Sequence, residues 1–220
     1  MRIRITAVLL LLLAVFTCLN TALWAEDVSC SSVRECVQKS IELDKQGMFN
    51  ESVAALENAL RIEPNNTVVL VRAATTCMLI DQPERGLKYL EKANLLAPTD
   101  ADILWHLGYM YHKAGRDKEA VATLLKSLEQ KPNNKLAYYD LGLIYWNMND
   151  DDKAAASYEK AIEIDPQFAD AYYDLGCFYL DRANAQKAEA NLVKAKELYQ
   201  QIGDTQSVEL VEAKLKEVAK

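Results

Sequence analysis

The chain repeats with a fixed period of 34 residues. Pro64, Pro98, Pro132 and Pro166 are each 34 residues apart. The stretch 135–168, which contains the last of these prolines, reads as a helical hairpin whose apolar residues recur at i, i+3, i+4 and i+7. Because proline cannot continue helical hydrogen bonding, each proline is expected to follow the end of the second helix of a hairpin. A period of this length predicts a solenoid in which every hairpin buries its apolar face against its neighbours.

Each predicted unit carries a small residue at three equivalent positions: one on the first helix and two on the second. Gly, Ala or Ser occupies these positions in all five units. The residues are Ser40, Ala74, Gly108, Gly142, Gly176, Ser52, Gly86, Ala120, Ala154, Ala188, Ala59, Ala93, Ser127, Ala161 and Ala195. Small side chains let the paired helices approach closely, so that large residues such as Tyr111 and Tyr158 can pack at the crossing.

This pattern resembles the tetratricopeptide repeat family over 33–202. The resemblance implies an all-α fold, a right-handed α-solenoid of five tetratricopeptide helical hairpins. The hairpins are expected at 33–66, 67–100, 101–134, 135–168 and 169–202. Three first helices have a polar residue before them that can cap the helix: Asn66, Asp100 and Asn134.

The segment 203–220 is predicted to form a C-terminal capping helix. Gly203 can end the last repeat helix, and Asp204 can cap a new one. One face of the new helix is apolar and consists of Val208, Val211, Leu215 and Val218. Such a helix would cover the open end of the array, although an oligomerisation helix is an alternative.

Residues 1–25 are predicted to be a signal peptide, followed by an N-terminal tail at 26–32. Arg2 and Arg4 precede an apolar core, and a cleavage site ends at Ala25. We therefore expect export across the inner membrane, with the periplasm of a bacterium as the destination. One alternative is an uncleaved membrane anchor, since the apolar stretch is about long enough to span a bilayer. Another is lipidation of Cys18.

Four cysteines follow the predicted leader, and an oxidising compartment would permit disulfides among them. Cys30 and Cys36 are close in sequence at the junction of the tail and the first helix, so we predict that they pair. Cys77 and Cys177 lie three repeats apart, too far for a bridge across several helix layers. They are expected to be small core or groove residues.

The composition argues against two classes of function. The formal net charge is −7 and no basic cluster occurs, which argues against nucleic-acid binding. His106 and His112 are roughly opposite on one predicted helix, and no metal motif or nucleophile with a nearby base is evident. We therefore expect neither an enzyme nor a cofactor or bound metal.

The resemblance to tetratricopeptide repeats implies that the first helices line a concave groove. Family groove positions correspond here to an unusually aromatic set with acids on its rim, which we predict to be a peptide-binding groove. The predicted groove residues are Trp105, Tyr109, His112, Tyr139, Leu143, Trp146, Tyr173, Asp102 and Asp170. Four of the aromatic residues are expected to form one contiguous patch with Tyr173 beside it, and these four are Trp105, Tyr109, Tyr139 and Trp146. An alternative is that these aromatic residues only pack against neighbouring first helices and stiffen the array.

The leading hypothesis is an exported, non-enzymatic scaffold that binds a protein or peptide in the groove of repeats two to five. A hydrophobic or basic ligand segment is expected, because exposed aromatic residues anchor interfaces and acids surround them. A more specific alternative is an envelope lipoprotein of the tetratricopeptide type that assists pilus or secretin assembly. Another is a structural subunit that self-associates. Membrane association is expected only if the leader is retained or Cys18 is lipidated.

Overall fold

A computed structural model describes residues 29–218, which fold into eleven α-helices and no strand. The helices are α1 (Val33–Lys45), α2 (Phe49–Ile62), α3 (Thr67–Leu79), α4 (Pro83–Leu96), α5 (Ala101–Lys113), α6 (Asp117–Gln130), α7 (Lys135–Asn147), α8 (Asp151–Ile164), α9 (Ala169–Asp181), α10 (Ala185–Ile202) and α11 (Thr205–Val218). The predicted signal peptide lies outside the described residues. None of the helices between 29 and 218 is long and apolar enough to cross a bilayer.

The chain divides into two compact units between Gln82 and Pro83. Unit 1 contains α1 to α3, and unit 2 contains α4 to α11. The second predicted hairpin is therefore divided, with α3 in unit 1 and α4 in unit 2.

In unit 1, α1 and α2 form a hairpin and α3 packs against α2. The hydroxyl of Ser52 on α2 donates to the backbone carbonyl of Ser40 on α1 at 3.1 Å. A disulfide joins Cys30 to Cys36, whose Cα atoms are 5.3 Å apart. Because Cys36 is buried within α1, this bond ties the segment before α1 to the core of the unit.

In unit 2, three hairpins stand side by side: α5 with α6, α7 with α8, and α9 with α10. The first helix of each hairpin contacts the first helix of the next, so that α5, α7 and α9 form one layer. The C-terminal helix α11 packs against both α9 and α10. This stacking confirms the predicted fold class of tetratricopeptide hairpins followed by a capping helix.

Three glycines show why small residues recur on the first helices. A Cβ atom built on Gly142 would lie 2.7 Å from the ring of Tyr158. The equivalent atoms on Gly108 and Gly176 would lie 2.7 Å and 2.8 Å from the Cγ atoms of the leucines at 124 and 192. A side chain at any of these positions would overlap its partner helix, as the sequence pattern predicted.

The predicted helix ends are also confirmed. The side chains of Asn66, Asp100 and Asn134 accept hydrogen bonds from backbone N–H groups in the first turns of α3, α5 and α7. Gly203 ends α10 with φ of 75°, a left-handed conformation that glycine adopts without strain. Asp204 then accepts from the backbone N–H of Ser207 at the start of α11.

The predicted apolar face of α11 faces the rest of unit 2. Val211 is fully buried, and Val208, Leu215 and Val218 pack against a core cluster built from α9 and α10. This placement fits a helix that covers the end of the array. The cysteines at 77 and 177 are a buried and a half-buried thiol, respectively.

Candidate functional site

The candidate site is the side of α5, α7 and α9 that carries the predicted groove residues, here called the first-helix face. These residues are the second, fifth, ninth and twelfth of each helix, spacings that place their side chains along one side of it. Since α5, α7 and α9 are neighbours in one layer, equivalent side chains from successive repeats are brought next to each other.

Trp105 and Tyr139 each bond to the following first helix. The indole Nε1–H of Trp105 donates to Asp140 at 2.7 Å, and the hydroxyl of Tyr139 donates to Asp174 at 2.5 Å. Both rings remain half-buried. The polar edge of each ring is thus occupied within the chain, while part of each ring is open to solvent.

Leu143 and Trp146 continue this face on α7. Both are half-buried and pack, together with Trp105 and Tyr139, against one core cluster that includes Phe178. The ring centroids of Trp146 and Phe178 are 6.0 Å apart in an edge-to-face arrangement. The structure therefore places three of the four predicted patch aromatics on the same cluster.

Tyr109 and His112 lie on the C-terminal half of α5. Tyr109 is half-buried, and this burial together with the nearby charge of Asp140 raises its pKa. Nδ1 of His112 lies 2.6 Å from Asp117 at the start of α6, so this imidazole is engaged within its own hairpin. His112 therefore has a structural partner in addition to any role at the candidate site.

Tyr173 lies at the end of the first-helix face that is next to α11. It packs with Cys177 against the second core cluster, which includes Val211 from α11. Burial raises the pKa of Tyr173 to about 12 and that of the Cys177 thiol to about 11. A thiol with this pKa is protonated at neutral pH and is a poor nucleophile.

The two predicted rim acids are both exposed and both have partners. Asp102 bonds to Lys131 at 3.0 Å, a pair of exposed side chains that contributes little to stability. Asp170 accepts a hydrogen bond from the hydroxyl of Tyr199 at 2.5 Å. Both carboxylates nonetheless contribute negative charge at the edge of the aromatic residues.

Sequence reasoning missed two acids at the centre of the site. Asp140 is only 5% exposed, and burial raises its pKa to about 7 against the opposing hydrogen bond from Trp105. Burial also raises the pKa of Asp174, again opposed by a hydrogen bond, here from Tyr139. A signal was present, because the hexapeptide Ala-Tyr-Tyr-Asp-Leu-Gly occurs at both 137–142 and 171–176.

Repeat two was also expected to contribute to the groove, through α3 in unit 1. The side of α3 that corresponds to the groove is aliphatic, and Val68 and Leu79 on it are 76% and 60% exposed. Arg72 on the same helix donates to Ser40 and Asp44 on α1 at 2.9 Å and 2.7 Å. The aromatic residues therefore belong to unit 2, and the candidate site is restricted to that unit.

The described part of the chain holds no group of three or more potential ligands arranged to bind a metal ion. What the first-helix face offers is aromatic surface with fixed polar edges and carboxylates around it. Partly exposed aromatic residues of this kind are frequent at protein interfaces.

The stacked hairpins and their side-by-side first helices define a helical-repeat protein with a potential binding face. The chain belongs to the tetratricopeptide repeat family. Profiles described as Tetratricopeptide repeat match 34–66, 136–168 and 157–190, and one described as TPR repeat matches 108–149. Proteins of this family are generally non-enzymatic scaffolds, and the similarity of this chain to them implies protein–protein interaction.

Known proteins similar to this chain share the repeat. Interferon-induced protein with tetratricopeptide repeats 2 of Cricetulus griseus is 32% identical over 88 residues, which is 40% of this chain and 19% of that protein. The chain spans only 19% to 28% of the length of the curated relatives it matches. These relatives support the family assignment and not a shared function for the whole protein.

Solved structures similar to this chain are solenoids of the same kind. The crystal structure of MamA has 28% sequence identity to this chain and a TM-score of 0.64, and the match covers 75% of this chain and 96% of the MamA chain. PilW, described as a widely conserved type IV pilus biogenesis factor, has 17% sequence identity and a TM-score of 0.69, and the match covers 86% of this chain and 98% of the PilW chain. The likeness to PilW concerns the fold.

Proposed function

We propose that this protein binds a segment of another protein on the first-helix face of repeats three to five. The segment carries apolar side chains that cover the aromatic rings and cationic side chains that meet the surrounding carboxylates. The observation that carries this proposal is the half-buried state of Trp105, Tyr139 and Trp146. By contrast, Tyr158, which packs inside a hairpin, is 0% exposed.

Aromatic side chains with part of the ring in solvent are a feature of binding surfaces. They bury a large apolar area when covered and lose little rotamer freedom, so they are frequent energetic anchors of interfaces. Packing within the repeats does not require Trp at 105 or 146, because the equivalent positions on α3 are Val71 and Met78. These aromatic residues therefore fit a role in contact with another molecule.

The charges of the three first helices favour a basic ligand. The helices α5, α7 and α9 carry three exposed carboxylates, Asp102, Asp170 and Asp181, in addition to the buried Asp140 and the half-buried Asp174. They carry two lysines, Lys113 and Lys135, and the second of these bonds to Asp165 in the loop after α8. An excess of negative charge speeds the association of cationic partners and disfavours acidic ones.

The test measures the fluorescence anisotropy of a labelled 14-residue amphipathic peptide made of leucine and lysine only. Trp146→Ala with Tyr139→Ala should weaken binding at least about tenfold, as expected for loss of two interface anchors. Leu125→Ala is the matched control, because Leu125 is an apolar residue on α6 that is 45% exposed. Circular dichroism must show equal helicity in all variants, and Trp146→Ala alone serves if the double variant loses helicity.

If the variant with Trp146→Ala and Tyr139→Ala binds the peptide as tightly as the wild type, the peptide does not bind on the first-helix face. A matching peptide of leucine and glutamate tests the charge argument, and it should bind at least about tenfold more weakly than the lysine peptide. If the two peptides bind equally well, the carboxylates do not select the ligand.

We also propose that the protein acts outside the cytoplasm, as the sequence of 1–25 predicts. The disulfide between Cys30 and Cys36 supports this proposal, because such bonds persist in oxidising compartments. Mass spectrometry of the mature N-terminus tests it. A chain that begins at Glu26 agrees with cleavage, and a diacylated Cys18 would instead identify the envelope-anchored assembly factor. Self-association, the remaining alternative, would appear as a concentration-dependent mass in light scattering.

A further inference from the structure

The same polar contact occurs twice on the first-helix face, one repeat apart. Trp105 and Tyr139 are each the fifth residue of a first helix, and each donates a hydrogen bond to the sixth residue of the next first helix. The two acceptors are Asp140 and Asp174. Donor and acceptor are 35 residues apart in both pairs. The contact is therefore a repeated feature of the stacking and not an isolated pair.

The sequence matches donors with acceptors along the array. Where the fifth residue cannot donate, as with Val37 and Val71, the next repeat has Arg72 or His106 at its sixth position. Where the fifth residue is Trp105 or Tyr139, the next repeat has aspartate there. Stacking of the repeats alone does not require an acid at the sixth position. The acid accompanies an aromatic donor.

Because the two carboxylates are largely buried, breaking either hydrogen bond is energetically costly. A buried carboxylate requires hydrogen-bond donors, and breaking such a bond leaves a costly unsatisfied group. Because the edge of each ring is held by the carboxylate, the ring cannot easily rotate into other rotamers. The part of the ring that remains exposed keeps one orientation relative to the face.

We propose that Asp140 and Asp174 are positioning residues of the binding face, which hold Trp105 and Tyr139 in the orientation that a ligand segment meets. This inference rests on the proposed function and adds a reason for the affinity of the face. A ligand that docks on pre-oriented rings loses less conformational entropy than one that must order them. The acids act through the aromatic residues and do not themselves need to touch the ligand.

The test compares the affinity of the leucine–lysine peptide for Asp140→Ala, Asp140→Asn and the wild type. The alanine variant should weaken binding about threefold to tenfold, the range for reordering one aromatic side chain. The asparagine variant keeps an acceptor for the indole and should stay within about twofold of the wild type, because an amide oxygen can take the same bond. An effect on folding alone would change stability without this order of affinities.

Tyr139→Phe provides a second route that keeps the ring and removes only the bond to Asp174. It should weaken binding of the leucine–lysine peptide by a similar factor. Tyr158→Phe is the matched control, because the Tyr158 hydroxyl is buried and has no hydrogen-bond partner within residues 29–218. Removal of that hydroxyl should leave peptide affinity unchanged. These two variants remain informative if Asp140→Ala fails to fold.

The indole N–H resonance of Trp105 gives a direct readout by NMR. The part of its pH dependence that comes from Asp140 should be present in the wild type and absent from Asp140→Asn. The other titratable groups near this pair are Tyr109 on α5, Tyr158 on α8 and His106, whose ring centroid lies 4.4 Å from that of Trp105. Burial raises the pKa of both phenols, so they stay neutral, and it lowers the pKa of His106, which titrates in both proteins alike. Equal pH dependence of the indole resonance in the two proteins would overturn the assignment.

The outcomes also separate this inference from the proposed function. If Trp146→Ala abolishes binding while Asp140→Ala and Tyr139→Phe bind like the wild type, the face is a binding site but the acids do not position it. If Trp146→Ala binds normally as well, the proposed function itself is wrong.

Discussion

Removal of either of two neighbouring tyrosine hydroxyls should affect stability differently, because only one of them makes a hydrogen bond within the described residues. The ring centroids of Tyr139 and Tyr158 are 5.9 Å apart in an edge-to-face arrangement. The hydroxyl of Tyr139 donates to Asp174 at 2.5 Å. That of Tyr158 is buried and makes no hydrogen bond to any described residue. Phe at either position deletes one oxygen atom and keeps the ring, so the comparison isolates the hydrogen bond.

The expected magnitudes follow from what each hydroxyl does. Tyr139→Phe removes a donor from a largely buried carboxylate, and a hydrogen bond to a charged group contributes about 1.5–3 kcal/mol. It should lower the free energy of unfolding by about that amount. Tyr158→Phe removes a buried polar atom that has no partner, a burden of about 1–3 kcal/mol when left unsatisfied. It should leave the protein unchanged or stabilise it by up to about 2 kcal/mol.

Urea unfolding followed by tryptophan fluorescence measures both effects. Trp105 and Trp146 lie in unit 2 beside the substituted positions, so their emission reports on the unfolding of that unit. The slopes of the transitions must agree among the proteins for the midpoints to be compared. If Tyr158→Phe destabilises the protein as much as Tyr139→Phe, the hydrogen-bond assignment of this cluster is wrong.

Three further predictions concern the core, the buried acid and the disulfide. Gly142→Ala should lower the urea midpoint, because its Cβ would lie 2.7 Å from a Tyr158 ring atom and such overpacking costs about 1–3 kcal/mol, more than the roughly 1 kcal/mol gained in helix propensity. An unchanged midpoint would contradict the packing argument. The folded-state pKa of Asp140 is raised to about 7, so its contribution to stability is lost as pH rises through 7. Wild type should therefore lose about 1 kcal/mol between pH 6 and 8 relative to Asp140→Asn, measured by urea unfolding at each pH, and parallel curves would refute this. Reduction of the Cys30–Cys36 disulfide should lower the stability of unit 1 by about 2 kcal/mol because the loop is short, measured by thermal unfolding with and without reductant. The variant Cys30→Ala cannot form this bond, so reductant should not change its thermal unfolding. A response in that variant would point to other thiols.

The sequence was sufficient to predict the repeat because the constraints are local and repeated. Gly142 and Tyr158 meet within one hairpin, and the prolines mark the ends of second helices at the same spacing each time. Helix caps such as Asp100 depend on neighbouring backbone groups, so they can also be read from sequence. These features do not depend on how distant parts of the chain are arranged.

The polar contacts of the candidate site could not be predicted in the same way. The sequence indicated that Trp105 and Tyr139 lie on one face, but not that their polar edges bond to Asp140 and Asp174. Such bonds depend on the rotation between successive repeats, which the period of 34 residues does not specify. Burial of Asp140 follows from the same stacking, and an aspartate in sequence is more often exposed.

The division after Gln82 was not predicted either. The proline period and the small residues continue through repeat two without interruption. Its first helix carries Val71 at the position where the next three repeats carry Trp105, Tyr139 and Tyr173. This change in residue type is visible in the sequence, but only the structure links it to a boundary between compact units.

The proposed binding requires that a ligand segment lies on the first-helix face of unit 2. A photoreactive benzoylphenylalanine placed at Asn147 can detect it there, because Asn147 is exposed at the end of α7 beside Trp146. The matched position is Lys126, which is exposed on the second helix α6. The leucine–lysine peptide should crosslink to the chain at 147 and not at 126. Crosslinking at 126 with none at 147 would show that the peptide does not bind on this face.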